Sequence, residues 1–571
     1  MTQDRSGDFG VKEDPGKARG AADPSAGNAS TTSGRKSLLA ALARERWDVL
    51  VVGGGITGCG ILLDAASRGL RVALIERDDI AVGTSSRSSR LIHGGLRYLE
   101  QFQIGLVREA LRERALLLRL APHLVRLEPF LFPLYGGPLT RPFFGTGLTM
   151  YDLLGASTDG GFHRHLSVKD SLAAVPNLRR KGLRGAFLYH DGQEDDARFA
   201  ISVVRTARAR GALALTRVSA LRGIERNGRV VGCTVRDELS GSEFNVEASA
   251  VIDATGVWTG RADGPFPAKD SHLTLPSRGV HLVVPRDRIP SKYGLTLRIP
   301  HRVCFIVPLP DRWIIGTTDH EDHGSPDRPT PTLAEIDEIL ANVNGTLDVD
   351  LTRNDVVAAF AGLRPLATDP GGAPGSTVKA SREHRIRVEP NGLVRISGGK
   401  FTTYRLMAAQ TVDAAMGPLP ARARPSQTAE VPIIGAAPMA QLNALAAKIA
   451  DESGIDRNRA DRLVARFGTQ AADVVALGHE LGLLRSLGPD ISHLEAEVVW
   501  SVREESALTV EDFLARRTRL AQELPDRGAT VASRVAELMG AELGWSSAQQ
   551  DAAVSSFLIQ AHREFDVPAE K

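Results

Sequence analysis

Three glycines and one glutamate carry the clearest chemical signal in the sequence. Gly53, Gly55 and Gly58 follow the spacing G-x-G-x-x-G, and Glu76 comes where that fingerprint places an acid. The first glycine permits a tight turn, the second lets the backbone approach a pyrophosphate, and the third lets a helix pack against a strand. The acid can accept hydrogen bonds from ribose hydroxyls. The pattern predicts a bound dinucleotide; the alternative is a glycine-rich turn in an unrelated α/β protein.

Two further segments are suited to an anionic ligand. Gly83–Glu100, GTSSRSSRLIHGGLRYLE, is rich in hydroxyls, backbone amides and basic groups. It is either a polar loop or a contact for the dinucleotide. Gly398–Arg405, GGKFTTYR, combines a glycine pair, a lysine and a helix N-terminus, which together form an anion site. His320 and His323 lie in a loop with acids, where two solvated histidines are favoured over a metal site.

The elements around the glycines predict a strand, helix and strand that position this turn. Val49–Val52 is a short apolar run typical of a buried parallel strand, Ile56–Ser67 a helix, and Arg71–Ile75 a second strand. Further along, Asn227-Gly228 signals a β-hairpin, and Val246–Asp253 is another strand, closed by ATGVW. A hairpin inside a dinucleotide fold is typical of two-dinucleotide flavoproteins rather than of NAD dehydrogenases.

The remaining segments differ in composition. Residues 1 to about 36 contain almost no large apolar side chains, so they predict a disordered tail, with order beginning near Leu38. Alternating apolar runs between about Pro276 and Asp319 predict an antiparallel sheet. From about Glu430 the pattern is mostly helical, apart from linkers near Gly435 and Gly488.

A leucine-rich stretch follows the predicted helix Gln103–Leu120. Leu116–Leu134 mixes leucines with arginines and prolines. It could be a membrane-surface element, but a core helix followed by a loop is favoured. No uninterrupted apolar run reaches transmembrane length, and the N-terminus lacks a hydrophobic signal core.

Charge and cysteine content narrow the function classes. The net charge is +2 over 571 residues, so nucleic acid is not expected as the main partner. The cysteines are Cys59, Cys233 and Cys304, which are far apart in the sequence. They provide no disulfide framework and no metal-site spacing, which suits a reducing cytosol. Cys59 is expected to be a small packing residue beside the glycine turn.

Taken together, these motifs resemble the FAD-dependent glycerol-3-phosphate dehydrogenase family, within the D-amino-acid-oxidase-like flavoproteins. The matching pieces span about Trp47 to Leu520. The run LIHGGLRYLE is specific, since a bare FAD motif does not extend to it. Departures are the long N-terminal tail and single substitutions such as Val257. The other pieces are VVGGGITGCGILLDAASRGL, TSSRSSR, APHL, DDARF, ATGVW, HLVVP, IIGTTD, GLRPL, GGKFTTYR and EAEVVWSVREESALTVEDFLARRTRL.

The resemblance implies an α/β fold: an FAD-binding, two-dinucleotide Rossmann-like domain, an interleaved antiparallel-sheet substrate domain and a helical C-terminal cap. After a tail of residues 1–38, the oxidoreductase region would cover 39–429 and the cap 430–571. FAD-binding segments would be about 46–125, 194–265 and 355–429. The substrate domain would comprise about 126–193 and 266–354.

The resemblance also implies oxidation of sn-glycerol 3-phosphate to dihydroxyacetone phosphate, with electrons passed from FAD to a membrane quinone. The protein would then lie in the cytoplasm, peripherally bound to the inner membrane; a homodimer is compatible with the sequence. FAD is expected to be non-covalent, with His93 the expected attachment point should it be covalent.

By motif match, Arg97, Tyr98 and Arg364 are candidates for the substrate phosphate, because arginine forks suit phosphate esters. His281 is the first choice for a base with a pKa near neutral. Lys400 would stabilise the alkoxide or the reduced flavin and contact substrate. The expected FAD contacts are Gly53, Gly54, Gly55, Ile56, Thr57, Gly58, Glu76, Arg77, Thr84, Ser85, Ser86, Ser89, Leu91, His93, Gly94, Gly95, Val218, Ala254, Thr255, Gly256, Trp258, Gly399, Lys400, Phe401 and Thr402.

Other functions stay open at this point. A glycerol-3-phosphate oxidase shares the half-reaction but reduces oxygen to peroxide. An amine or amino-acid oxidase of the same superfamily would bind a carboxylate, which needs fewer cations than a phosphate. A non-catalytic flavin-binding scaffold would leave the match of His281, Arg364 and Lys400 unexplained.

Overall fold

The computed structural model describes residues 32–95, 103–137, 139–155, 161–268, 274–299, 302–322, 324–367, 383–417, 419 and 423–570. Within these ranges, no helix is both long enough and apolar enough to cross a bilayer.

One sheet is built around parallel strands that start from the glycine-turn segment. Its strand order is β17-β18-β10-β1-β2-β7, and the β8–β9 hairpin extends from β10. Strands β18, β10, β1, β2 and β7 run parallel to one another, which requires crossover connections, whereas β17 pairs antiparallel with β18. Its strands are β1 (Arg46–Val52), β2 (Val72–Ile75), β7 (Leu213–Leu215), β8 (Val218–Arg226), β9 (Arg229–Asp237), β10 (Glu243–Asp253), β17 (His384–Val388) and β18 (Val394–Gly398).

The local sequence explains the core of this sheet. Strand β1 is buried along its length apart from Arg46, as an apolar run covered on both faces must be. The predicted hairpin is confirmed, because Asn227 (φ 54°) and Gly228 (φ 73°) both take left-handed backbone angles between β8 and β9. This is the conformation that a two-residue turn of the Asn-Gly type requires.

The protein has a second sheet, which is mostly antiparallel. Its order is β15-β11-β14-β13-β12-β4-β6-β3, with β16 paired to β11 and β5 to β6. The antiparallel sheet predicted between about Pro276 and Asp319 is thus confirmed. Its strands are β3 (Leu91–Ile92), β4 (Arg126–Tyr135), β5 (Arg164–Leu166), β6 (Leu183–Gln193), β11 (Thr274–Pro285), β12 (Gly294–Ile299), β13 (Arg302–Pro308), β14 (Arg312–Gly316), β15 (His320–Glu321) and β16 (Ala358–Ala367).

Helices cover both sheets and make up most of the C-terminal part. One face of the second sheet packs against the C-terminal helices through a shared apolar core that includes Phe360, Phe513 and Phe557. The helices are α1 (Thr32–Arg44), α2 (Ile56–Ser67), α3 (Ile104–Leu120), α4 (Thr140–Leu154), α5 (Val168–Ala174), α6 (Asp196–Arg208), α7 (Leu333–Thr346), α8 (Tyr404–Ala414), α9 (Met439–Ser453), α10 (Arg457–Phe467), α11 (Ala471–Leu481), α12 (Glu495–Glu505), a π-helix (Asp512–Arg517), α13 (Leu520–Glu523), α14 (Ala529–Leu543) and α15 (Ser547–Phe565).

Two local predictions need correction. Helix α1 (Thr32–Arg44) includes residues of the predicted tail, and Arg35 there is buried in an ion pair with Asp237 (2.6 Å). The loop predicted after α3 is instead strand β4. Its Pro129 and Pro133 lie at paired positions against β6, whereas its pairing with β12 is limited to Phe130 and Leu131.

Two strands do not follow the boundaries expected between the FAD-binding segments and the substrate domain. Strands β3 and β16 come from the segments 46–125 and 355–429, which were expected to bind FAD, yet both pair within the second sheet. Segments that contribute strands to the first sheet therefore also contribute strands to the second, and they join the two sheets.

Candidate functional site

The glycine turn is shaped by close backbone approach. Strand β1 ends at Val52 and α2 begins at Ile56. Gly53 has φ +112°, and a Cβ there would lie 2.6 Å from the carbonyl oxygen of Ala254. A Cβ on Gly58 would lie 1.9 Å from the carbonyl oxygen of Gly53. Only glycine fits at either position, and the turn leaves the N-terminus of α2 facing a cavity, as a pyrophosphate site requires.

Glu76 stands directly after β2 and lines the same cavity. Its Oε2 accepts a hydrogen bond from the Gly54 N–H (2.6 Å), and its Oε1 accepts one from the Asp78 N–H (2.8 Å). Burial raises the pKa of Glu76, and these two hydrogen bonds oppose the shift. Each carboxylate oxygen keeps acceptor capacity for a ribose hydroxyl.

The cavity has a volume of about 880 Å³ and lies between the two sheets. One side is formed by the carboxyl ends of β1, β2, β10 and β18. This is where open α/β sheets bind their ligands. The other side is formed by β11, β13 and β16 of the second sheet, which contribute Gly279, His281, Phe305, Gly362 and Arg364.

Most of the predicted cofactor residues line this cavity, together with His281, Arg364 and Lys400. Arg97 and Tyr98 lie outside the described residues. The predicted cofactor residues in the lining are Gly53, Gly54, Gly55, Ile56, Thr57, Glu76, Arg77, Thr84, Ser85, Ser89, Leu91, His93, Val218, Ala254, Thr255, Gly256, Trp258, Gly399, Lys400, Phe401 and Thr402.

Four predicted cofactor residues do not line the cavity. Gly58 packs on Gly53. The carbonyl of Ser86 accepts a hydrogen bond from Arg519 (3.2 Å). The Gly94 N–H donates to the hydroxyl of Tyr151 (2.9 Å), and Gly95 follows with φ +76°. These four residues therefore contact protein atoms behind the cavity lining and are not part of the lining itself.

The sequence did not reveal the loop Gly324–Asp327, which also lines the cavity. Asp327 accepts hydrogen bonds from the Trp258 indole (2.9 Å) and from Arg77 (2.9 Å). The Arg77 guanidinium lies over the Trp258 ring at 5.6 Å. No local pattern marks such a contact, because the three residues come from distant segments.

His281 is buried on β11, with 3% of its surface exposed. Its ring stacks on Phe360 at 5.1 Å and 14°, and its Nε2 is 2.8 Å from the hydroxyl of Ser89. Its Nδ1 has no hydrogen-bond partner among the described residues. Burial, with Arg364 and Arg90 nearby, lowers the pKa of His281 to about 3. The near-neutral pKa expected from the sequence is therefore wrong for this state, and the ring is neutral at pH 7.

Arg364 is held by hydroxyl, carbonyl and carboxylate oxygens on the neighbouring strands and loop. Its Nη2 donates to the hydroxyl of Thr317 (2.9 Å) and to the carbonyl of Thr318 (3.1 Å). Its Nη1 lies 3.4 Å from the Ser277 hydroxyl and 3.6 Å from Asp319. A Cβ at Gly279 would lie 2.5 Å from Nη2, so that glycine makes room for the guanidinium. Arg364 therefore faces the cavity in a fixed position.

Lys400 follows β18 and precedes a short 3₁₀ turn that continues into α8. The preceding glycines take left-handed angles, with φ +74° at Gly398 and +87° at Gly399. A Cβ at Gly398 would lie 2.6 Å from the carbonyl of Glu383. The glycine pair thus bends the chain so that Lys400 and the start of the helical segment line the cavity.

His320 and Cys59, which were considered from the sequence as a metal-site candidate and a packing residue, do not line the cavity. His320 lies 2.9 Å from Glu338 through its Nε2, and His323 lies outside the described residues. Cys59 is fully buried on α2 and its thiol donates to the carbonyl of Gly54 (3.3 Å). Burial raises the pKa of Cys59, which agrees with the packing role expected of it.

Comparisons with known proteins agree with this arrangement. The sequence model described as FAD dependent oxidoreductase matches residues 48–399. The model described as the C-terminal domain of alpha-glycerophosphate oxidase matches residues 426–550. Glycerol-3-phosphate dehydrogenase 2 of Mycobacterium tuberculosis is 42% identical over 525 residues, which cover 92% of this chain and 89% of that protein.

A mitochondrial relative and a solved structure extend the similarity. The mitochondrial glycerol-3-phosphate dehydrogenase of Rattus norvegicus is 37% identical over 91% of this chain and 74% of its own length. The structure of the glycerol-3-phosphate dehydrogenase of Bacillus halodurans, complexed with FAD, matches with a TM-score of 0.77 at 27% identity. It covers 95% of this chain and 99% of that one.

The glycine turn, Glu76 and the extended cavity fit FAD, and the family match makes FAD the cofactor. The predicted fold class is confirmed by the same comparisons. With 42% identity over nearly the whole chain, the protein belongs to the FAD-dependent glycerol-3-phosphate dehydrogenase family.

Proposed function

We propose that this chain oxidises sn-glycerol 3-phosphate to dihydroxyacetone phosphate and that the electrons pass to a membrane quinone. One observation carries the proposal. A single cavity brings the dinucleotide turn together with an arginine, a lysine and a buried neutral histidine, namely Arg364, Lys400 and His281. The relatives named above, which are glycerol-3-phosphate dehydrogenases, support the choice of substrate.

Arg364 is assigned to the substrate phosphate. Its guanidinium lines the cavity beside Thr317, Thr318 and Asp319, and its positive charge and planar fork suit a phosphate dianion. Lys400, at the start of a helical segment, stabilises negative charge that develops on the C2 oxygen.

His281 is assigned to the proton of the C2 hydroxyl. The neutral ring carries one lone pair and can accept that proton, either directly or through the Ser89 hydroxyl, which also lines the cavity. FAD, when bound, supplies the acceptor for the hydride from C2. A substrate dianion beside Arg364 offsets the positive charge that lowers the pKa of His281. This part of the pKa shift is therefore reversed when substrate binds, whereas the larger part, which burial causes, remains.

Membrane contact is supported by an exposed apolar cluster around α4. Leu139, Phe143, Leu153 and Phe162 expose between 59% and 78% of their surface. Exposed arginines lie nearby, at Arg141 on α4 and at Arg108 and Arg112 on the adjacent α3. Apolar side chains beside arginines suit the surface of an anionic bilayer. The proposed location is the cytoplasmic face of the membrane, and the three cysteines are free and buried, as a reducing compartment allows.

The second candidate is a glycerol-3-phosphate oxidase, in which oxygen is the acceptor. One observation favours it, since residues 426–550 match a domain described from alpha-glycerophosphate oxidase. The two candidates share all of the chemistry up to reduction of the cofactor, so the acceptor alone distinguishes them.

Two measurements test the proposal in sequence. Without oxygen, glycerol 3-phosphate is expected to bleach the flavin spectrum of the purified protein, whereas glycerol is not. No bleaching by glycerol 3-phosphate would refute the assigned substrate. The reduced protein is then mixed with a quinone analogue or with air. Fast reoxidation by the analogue with little peroxide supports the dehydrogenase, and stoichiometric peroxide supports the oxidase.

A further inference from the structure

A buried arginine from the C-terminal helices contacts the loop that carries Ser89. The side chain of Arg519 is 2% exposed and follows the π-helix Asp512–Arg517. Its Nη1 donates to the carbonyl of Ser86 at 3.2 Å. The loop from Thr84 to Ser89 lines the cofactor cavity, apart from Ser86. A residue more than 400 positions away in the sequence thus contacts the back of the cavity wall.

Arg519 also reaches this loop through a buried carboxylate. Its Nη2 donates to Oδ1 of Asp196, which is 1% exposed. The other carboxylate oxygen, Oδ2, accepts from the Ser88 N–H (3.0 Å) and from the Ser88 hydroxyl (2.7 Å). That hydroxyl in turn accepts from the Arg90 N–H (3.0 Å). The residues on both sides of Ser89 are therefore fixed.

Ser89 connects this network to the active-site histidine. Its hydroxyl is 2.8 Å from Nε2 of His281. We infer that Arg519 is a positioning residue: through Asp196 and Ser88 it fixes Ser89, and Ser89 fixes the position of the His281 ring. This inference rests on the proposed function, because it takes His281 as the acceptor of the substrate proton.

The shape of the arginine side chain matters for this role. In addition to Asp196, the Arg519 guanidinium donates to Asp195 through Nη2 (3.0 Å) and Nε (3.2 Å). Burial opposes the charged form, but Asp195 and Asp196 hold the pKa of Arg519 above its ordinary value. A lysine keeps the charge but cannot reach Ser86, Asp195 and Asp196 together, since its donors come from one atom.

A double-mutant cycle tests the inference on the full-length holoprotein. Arg519→Lys and Ser89→Ala are each expected to lower the limiting rate of anaerobic flavin reduction by about 10- to 100-fold, as misplaced catalytic groups do. The apparent Kd for glycerol 3-phosphate is expected to change less. In the Ser89→Ala background, Arg519→Lys is expected to cost less than about 3-fold, because the residue through which it acts is gone. Ser89→Thr, which keeps the hydroxyl, is expected to restore most of the rate.

Two controls separate positioning from folding. Arg466→Lys alters another bidentate arginine pair of the C-terminal helices, with Glu497 (2.6 and 2.9 Å), and is expected to leave the rate unchanged. Ser88→Ala removes only one of the two hydrogen bonds to Asp196, so it is a milder variant that is expected to fold and to slow reduction less than Arg519→Lys. The visible circular dichroism of bound FAD reports on the conformation of the loop Thr84–Ser89 without turnover. It is expected to change in Arg519→Lys but not in Arg466→Lys.

Two outcomes overturn the inference: effects of Arg519→Lys and Ser89→Ala that simply multiply, or a circular dichroism spectrum of Arg519→Lys identical to that of the parent. A parent protein whose flavin is not reduced by glycerol 3-phosphate refutes the proposed function instead. In that case the circular dichroism result still decides whether Arg519 positions the loop.

Discussion

Removal of the Arg364 guanidinium is expected to weaken recognition of the substrate phosphate without loss of the cofactor. The side chain is 24% exposed, donates to Thr317 and Thr318, and lies 3.6 Å from the carboxylate of Asp319. Loss of one charge-assisted contact to a desolvated phosphate costs on the order of 2–5 kcal/mol. At about 1.4 kcal/mol per factor of ten, Arg364→Ala is expected to lower kcat/KM by roughly 30- to 3,000-fold.

The assay is anaerobic flavin reduction at graded concentrations of glycerol 3-phosphate, compared with glycerol. Arg364→Ala is expected to lose efficiency with the phosphate ester, whereas glycerol, which lacks the phosphate, is expected to reduce neither protein and provides the baseline. Arg364→Lys is expected to recover part of the loss, since lysine keeps the charge but not the fork.

The matched control is Arg261→Ala. Arg261 also lines the cavity but pairs with the exposed Asp263 (2.9 Å), so its removal is expected to leave phosphate selectivity intact. FAD content is measured in every variant. If Arg364→Ala protein with normal FAD content is reduced as efficiently as the parent, the placement of the substrate phosphate is wrong.

Three further outcomes are expected. Glu76→Ala is expected to weaken FAD retention, measured by flavin release on gel filtration, because it removes the ribose acceptor and the partner of the Gly54 N–H; Glu76→Gln, which keeps one acceptor oxygen, is expected to lose less. FAD is expected to separate from the protein on acid precipitation, and flavin that stays with the pellet would contradict non-covalent binding and direct attention to His93. As pH falls from 6.5 towards 3, His281 takes up a proton in the unfolded chain but not in the folded chain. This group therefore lowers the free energy of unfolding by about 1.4 kcal/mol per pH unit. His281→Gln is therefore expected to show a smaller drop in Tm between pH 6.5 and 4.5 than the parent, and an equal drop would contradict the lowered pKa.

The local parts of the fold could be predicted from the sequence because they depend on short-range constraints. Gly53 and Gly58 occupy positions where any Cβ would collide with backbone, and that requirement is visible as a fixed spacing. Helix α2 begins and ends where its pattern predicted, at Ile56 and Ser67. The turn at Asn227-Gly228 needs two left-handed residues, which few side chains tolerate.

Strand β4 shows where local reasoning failed. Pro129 and Pro133 suggested a loop, because proline cannot donate to a neighbouring strand. The structure places both in β4, paired with β6, and the short pairing with β12 avoids them. Which partner a strand meets on each side is decided by the assembly of the whole sheet and is not written in the strand itself.

The sequence by itself determined the dinucleotide turn and the acid after the second strand, and its resemblance to a known family supplied the candidates His281, Arg364 and Lys400. Only the tertiary structure decided how they act together. It placed His281 against Phe360 and Ser89, with a pKa of about 3 because burial and the charge of Arg364 disfavour protonation. It also brought Arg519 to Asp196 behind the cavity wall. Burial and charge depend on neighbours that are hundreds of residues away in the chain, so no local pattern could reveal them.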